Sequence, residues 1–400
     1  MALVVVLNSQ RSIYDHGISA LLILFAASSM LSVAISQICL GVLALLMVGR
    51  AVWKRERPCH VPFEWSVGIV VVWGLLMIPF STDPGFSFMM SKRFALYSAL
   101  WVGACLVDDE GRRRNMFWAL VLAIVANALF TVFSEEYELN GTGRRVTMVQ
   151  DSAMTGAWIM ACASIVMFAF IIVLKSWRLR MLLMVAELPL LFVIYLSRTR
   201  SAWLGLLAGL LVVLFVTRKR LIPVVAVALM LMVVLGPSGF KDRVVSIFDP
   251  SYSSNNVRLE QWGAGLDLIK LKPVTGVGDV YLADLIAEHT DYVNTFTSSM
   301  HHLHQSYVTT AVFWGIPGLV ALFVLMAHLL VLLIKAWRRG GDEGLYRRGW
   351  VLGALGVWVF YCLTGMIDAL VIDPEMSLVF LGVMGVGVGA RRNDLYTELD

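Results

Sequence analysis

Long apolar stretches, separated by short polar breaks, run through most of the chain. They fall at roughly 18–33, 35–50, 65–80, 93–107, 116–133, 153–174, 181–196, 202–216, 221–236, 308–334, 350–367 and 375–390. Each approaches the length of about 20 apolar residues that carries an α-helix across hydrocarbon. A bilayer core offers the backbone no water, so a spanning segment must satisfy its own hydrogen bonds, and a helix does so. The pattern predicts an all-α polytopic membrane protein with about twelve transmembrane helices. Helices 1–9 would occupy residues 1–236, and helices 10–12 with a tail residues 308–400.

The pattern changes between them. Residues 237–307 hold no run of spanning length. Turn signals stand at Gly236-Pro237-Ser238-Gly239 and Asp249-Pro250, before the polar stretch Ser251 to Asn256. Val257, Leu259, Trp262, Leu266 and Ile269 then recur at helical spacing, until Lys272-Pro273 and Gly276-Val277-Gly278 end the pattern. A second short helix is expected from Tyr281 to His289. This segment reads as a small folded cap on one membrane surface.

Charge gives the cap a side. Only 15% of residues are charged and 59% are hydrophobic, against about 25% charged in soluble domains. With the N-terminus inside, every second loop is basic. Such loops hold Lys54-Arg55-Glu56-Arg57, Arg112-Arg113-Arg114, Arg218-Lys219-Arg220, Arg347-Arg348 and Arg391-Arg392. The positive-inside rule makes them cytoplasmic, with both termini, and puts the cap outside. That face is periplasmic in a Gram-negative host. No basic region followed by a small-residue cleavage site opens the chain, so no removable signal peptide is expected. Four of the five cysteines lie in apolar runs and Cys59 in a basic loop, so neither a disulfide nor a metal cluster is expected. Basic residues are scattered over both faces without a basic-aromatic module, and nucleic-acid binding has no support.

Two places carry candidate chemistry. His301, His302 and His304 fall within four residues, where the cap enters the apolar run at 308–334. Histidine is the side chain most able to take a proton near neutral pH. A zinc site would need a third ligand, and none precedes the helix. The second place is external arginine. Arg198 and Arg200 sit between two apolar runs with no room for a long loop, and Arg258 and Arg145 lie further along the outer surface. Ionisable groups at a bilayer edge are functional candidates, and the planar guanidinium fork suits phosphate. The competing readings are snorkelling to lipid head groups for Arg200, a salt bridge to Glu260 or Asp267 for Arg258, and a surface ion pair for Arg145.

These residues form an ordered set. Ser197-Arg198-Thr199-Arg200-Ser201-Ala202-Trp203-Leu204 resembles the SRxxWL segment of the O-antigen ligase and polymerase superfamily. Arg258 to Trp262 with Pro273-Val274-Thr275-Gly276-Val277-Gly278 resembles its R…W…PxxGxG segment. His302-Leu303-His304-Gln305-Ser306-Tyr307 with Gly315-Ile316-Pro317-Gly318 resembles its HxHNxxL…GIxG segment. Gln305 replaces the usual Asn, and Thr199-Arg200 the usual Ser-Arg. The resemblance implies a GT-C-like glycosyltransferase of the bacterial inner membrane, with its active site facing the periplasm. The donor would be a glycan on undecaprenyl pyrophosphate and the acceptor a lipid A–core sugar. No metal, nucleotide sugar or other cofactor is implied. His304 would be the general base; Arg200 and Arg258 would hold the pyrophosphate. Arg198, Arg145, His302 and Gln305 would bind substrate. Asp151, Asp279 and Glu288 are the fallback bases.

Other functions use the same parts. A polymerase would transfer to a second lipid-linked glycan, and an oligosaccharyltransferase to protein. A secondary transporter also has about twelve spans, but it would show two related halves and Gly/Pro-broken midplane helices; neither halves nor a midplane charge pair is apparent.

Overall fold

A computed structural model of the chain describes residues 2–54, 59, 61–134, 137–140, 143–146, 149, 152–235, 238–247, 249, 253–290, 302–339 and 344–389. Helices α1 (Ala2–Ser28) and α2 (Val33–Lys54) form a hairpin, followed by α3 (Glu64–Met77). The polar break then holds α4 (Pro84–Met90), capped by Asp83, whose carboxylate accepts from Phe86 N–H. After α6 (Glu110–Phe133) come strands β1 (Tyr137–Asn140) and β2 (Gly143–Val146), an antiparallel hairpin. Helices α7 (Ala153–Val173), α8 (Trp177–Leu196), α9 (Arg200–Arg218) and α10 (Ile222–Leu235) continue the bundle. The cap holds α11 (Ser238–Val245), α12 (Ser253–Leu271) and α13 (Leu282–His289). Helices α14 (Ser306–Arg338), α15 (Leu345–Gly365) and α16 (Pro374–Val388) close the chain.

Among the described residues, five helices are long and apolar enough to cross a membrane: those at Val33–Trp53, Glu110–Phe133, Ala153–Val173, Trp177–Leu196 and Ser306–Arg338. Tyr14–Ser28, Glu64–Phe80 and Pro374–Val388 are shorter apolar helices. Helix α7 is apolar on all faces and therefore lies at the centre, buried along nearly its whole length. Helix α15 packs along α7, α9 and α16. Its Gly356 meets Gly209 of α9: a Cβ on Gly209 would lie 2.9 Å from the Gly356 carbonyl oxygen. Small residues let membrane helices approach backbone to backbone in this way.

Two expectations are corrected. The run at 93–107 is no straight span. It divides into a 3-10 stretch Ser91–Tyr97, a single α turn α5 (Ser98–Trp101) and a π turn Val102–Leu106. Gly103 sits against the α16 backbone, where a Cβ would lie 2.7 Å from Val386 N, and the wider π turn accommodates that approach. Apart from the short β hairpin, the described elements are helical, as expected of an all-α chain. Cys59 and Cys105 are joined in a disulfide, with Cα atoms 6.1 Å apart. The π turn carries Cys105 to the basic end of the bundle, where Leu106 O accepts from Arg112 Nη1 at 3.0 Å and the loop after α2 supplies Cys59.

That basic end is held by acids. Arg112 meets Asp15 and Asp108, while the Glu110 carboxylate accepts from Tyr346 N–H and Arg347 N–H at the start of α15. Helices α9 and α15 begin and end in opposite senses. The first turn of α9 and the last turn of α15 therefore meet at the other end, under the cap, where Thr364 Oγ1 donates to Ser201 O.

Candidate active site

The α8–α9 corner is built by a serine. Ser197 Oγ donates to Ile194 O and accepts from Thr199 N–H, so the chain turns within three residues. Arg198 at the apex takes φ +52° and is exposed. Arg200, at the first turn of α9, is buried, 6% exposed. Its Nη1 donates to Ser246 O at 2.6 Å and its Nη2 to Asn255 Oδ1 at 2.6 Å. Asn255 Nδ2 donates in turn to Ser246 O and Asp249 O. Arg200 thus ties the membrane corner to the link between α11 and α12, and those two Nη groups face protein acceptors.

Helix α12 lays its buried face, Gln261, Ala264 and Leu268, against the start of α14. Gly265 makes room there: a Cβ would strike Leu303 and Val308. Arg258 lies one turn before Gln261 on the same helix. It reaches neither Glu260 nor Asp267. Its Nη2 lies 2.8 Å from Oδ1 of Asp368, in the turn after α15. Asp368 is fully buried. Its Oδ2 is buried without a hydrogen bond among the described residues.

His304 faces the same carboxylate. Its Nδ1 is buried 3.7 Å from Asp368 Oδ1, beyond a hydrogen bond, while a third of the side chain stays exposed. His304 has φ +44°; with Arg198 it is one of two described non-glycine residues in the left-handed region. Such backbone costs about 1–3 kcal/mol and is held only where the surroundings impose it. Here they do. Gln305 is the N-cap of α14, its side-chain oxygen accepting from Val308 N–H. Ser306 N–H and Oγ both donate to Asp368 O, at 3.1 and 2.9 Å. His302 packs edge-on against His304 with ring centroids 4.6 Å apart.

The remaining candidates lie elsewhere. Arg145 pairs with Glu138 in the β hairpin by backbone register; its side chain, with His301 and Asp151, lies outside the described residues. Glu288 is largely exposed beside His289. Asp279 is buried and faces Arg93. Asp373 caps α16 through Met376 N–H and accepts from Thr155 Oγ1; burial pushes its carboxyl up, and the Met376 N–H opposes that. Among the described residues no three His, Cys, Asp or Glu side chains converge as a metal-ligand set.

Asp368 was invisible to motif spacing. The usable signal was an acid in the short break between two apolar runs, Asp368 to Pro374, which is a functional candidate at a bilayer edge.

A carboxylate that meets both a guanidinium and an imidazole can orient the ring and hold a cation ready. Such a centre suits proton abstraction next to a phosphate. The chain resembles, at 15% identity and a TM-score of 0.50, a solved chain from "Structural coordination of polymerization and crosslinking by a peptidoglycan synthase complex". The match covers 84% of this chain and 97% of that one, and at this identity it shows a shared fold. No curated protein matches the sequence. Residues 186–323, the stretch from α8 through the cap into α14 with Arg198, Arg200, Arg258 and His304, match the model of the family described as O-Antigen ligase, the superfamily that the motifs resemble.

Proposed function

We propose that the protein is a multi-pass glycosyltransferase of the bacterial inner membrane, with about twelve spans and a periplasmic active site. It moves a glycan from undecaprenyl pyrophosphate to a sugar hydroxyl. The observation that carries this reading is the Arg258–Asp368–His304 centre, at the cap end of the bundle and largely within the matched segment.

In the reaction, the bond between the sugar's anomeric carbon and the pyrophosphate oxygen breaks. A new bond forms from that carbon to the acceptor oxygen, and attack opposite the leaving group inverts the centre. The acceptor's proton passes to His304. With Nδ1 held against Asp368, Nε2 is the nitrogen left to take it. The lipid pyrophosphate leaves with the bonding electrons, its charge met by Arg258 and the exposed Arg198. Arg200 acts by fixing the cap. His302 flanks the acceptor, and Gln305 starts the helix that carries His304.

Two acceptors fit this chemistry: lipid A–core, as in a ligase, and a second lipid-linked glycan, as in a polymerase. The first test is common to both. His304→Ala should lower transfer by about 10²–10⁴-fold in a purified-component assay, with lipid-donor binding retained. A variant keeping more than about a tenth of the wild-type rate removes His304 as base.

A further inference from the structure

The break that follows α3 carries exposed apolar side chains where a loop in water would carry polar ones. Phe80 ends the short 3-10 turn after α3, and α4 follows with Phe86, Phe88 and Met89. Ser87 Oγ donates to Asp279 O, so α4 turns its serine inwards and leaves Phe88 70% exposed, with Met89 exposed beside it. The cap segment between α12 and α13 adds Val274 and Tyr281, both exposed. These residues share one surface. Lys272 Nζ donates to Phe80 O at 3.0 Å, and Thr82 N–H to Val277 O. The rings of Phe86 and Tyr281 lie 4.7 Å apart, and Ile316 N–H donates to Pro273 O.

The neighbouring helices show what covers this surface. On α3, Trp65, Ile69, Val72 and Leu76 are exposed at steps of three and four, and Phe80 continues the stripe. On α14, Ile316, Val320, Phe323, Ala327 and Val331 make a second stripe. Such spacing is one face of a helix, and on a membrane helix an apolar outer face meets hydrocarbon. From Ile316 to Arg338 the helix rises about 33 Å, close to the roughly 30 Å of a hydrocarbon core. With Arg338 at the head groups of the basic end, Ile316 stands where hydrocarbon ends on the cap side. Both stripes run into the surface at Phe80, Val274 and Ile316, so the patch is continuous with the lipid-facing wall.

Its rim is basic. Exposed Lys92 stands two residues after α4, while Asp83 caps the opposite end of that helix through Oδ1. Arg93 is matched by Asp279, 2.8 Å away. An ammonium group has three donors, so Lys272 keeps two beyond the one on Phe80 O.

We propose that α4, with Phe80, Val274, Tyr281 and Ile316, is an interfacial anchor seated in the cap-side leaflet, and that Lys92 and Lys272 bind the phosphate of an anionic phospholipid there. The acyl chains lie along the two stripes. Phe88 and Met89 enter the leaflet, and the two ammonium groups reach up to the head group. Lys272 leads directly into the segment whose Pro273 O takes Ile316 N–H at the break in α14. The bound lipid therefore steadies the joint beyond which the first half of α14 runs back to His304.

The test uses the full chain in nanodiscs of phosphatidylcholine, with or without phosphatidylglycerol. A spin label is attached through Phe88→Cys, or through Met89→Cys if that variant folds poorly, in a Cys362→Ser background. Glu288→Cys on exposed α13 is the reference in water. The α4 label should be more accessible to oxygen than to a water-soluble nickel complex, and the reference label the reverse. Photoreactive phosphatidylglycerol should label peptides containing Phe88 or Val274. That labelling should fall about fivefold in Lys92→Gln and in Lys272→Gln, the effect of one basic side chain at an anionic surface. Lys272→Arg should keep it, and a phosphatidylcholine probe should not distinguish the variants. Nickel accessibility at α4 equal to that at the reference overturns the anchor. Equal labelling by both lipids in the wild type, or wild-type labelling in both glutamine variants, overturns the head-group site. Loss of the phosphatidylglycerol label to millimolar inorganic phosphate would give the lysines to a soluble anion and overturn it as well.

Discussion

Asp368 gives His304 what a lone imidazole near a membrane lacks: a fixed neighbour for one nitrogen. Its carboxylate also meets Arg258, and its backbone oxygen takes both donors of Ser306, so one residue registers α12, α14 and α15 together. Asp368→Asn keeps the shape and removes the charge. Transfer should fall by about 10²-fold or more, as when an orienting acid loses its charge. Asp373→Asn should change little, because Asn caps a helix about as well as Asp. Equal, small losses in both variants would leave Asp368 a packing role only. The histidine and Arg258 were legible because an ordered set of short segments marks them. Asp368 was not, because its partners meet it only once three helices have closed.

At the level of elements, the sharpest feature is the break inside α14. Gly315 takes φ +70°, and the helix divides there. Ile316 N–H donates to Pro273 O, and Pro317 follows in the first turn of the second half, where a missing N–H costs least. A Cβ at Gly315 would lie 2.0 Å from Val274 O. Gly315→Ala should cost more than about 3 kcal/mol in thermal unfolding, from strain plus clash, whereas Gly17→Ala, with nothing near its Cβ, should be neutral or better. The sequence showed Gly315-Ile316-Pro317-Gly318 inside one apolar run. Membrane helices tolerate such residues, so hydropathy alone does not reveal a break. The cap helix was legible from its periodicity, and α12 spans Ser253–Leu271. Its tether was not. Arg200→Lys supplies one nitrogen where Ser246 and Asn255 meet two, and should loosen the cap by about 1.5–3 kcal/mol, the worth of one charged hydrogen bond. Limited proteolysis between α11 and α12 reads this directly, and Asn255→Ala should match it. An intact cap with lost transfer would instead place Arg200 on the substrate.

For the molecule as a whole, the alternation of basic loops divides the bundle into two ends, with the cap and the histidine centre at the end away from Arg112 and Arg347. A cysteine placed at Ser254 should react with an impermeant thiol reagent in intact spheroplasts; labelling only after lysis would reverse the orientation. The helical bundle was legible from hydropathy because five of its described helices are long and apolar enough to cross a membrane. The bent segment at 91–106 was not, since only contact with the α16 backbone selects its π turn. That turn brings Cys105 to Cys59, and the pairing bears on sidedness without any engineered label. Cytosolic thiols are kept reduced, whereas the periplasm oxidises them. With the basic end inside, alkylation of living cells should trap Cys59 and Cys105 as free thiols, and the bond should close only after purification in air. If the bond is already closed in living cells, the basic end faces the oxidising side. The oxidation state of two native sulfur atoms thus keeps a chemical record of which way up the chain entered the membrane.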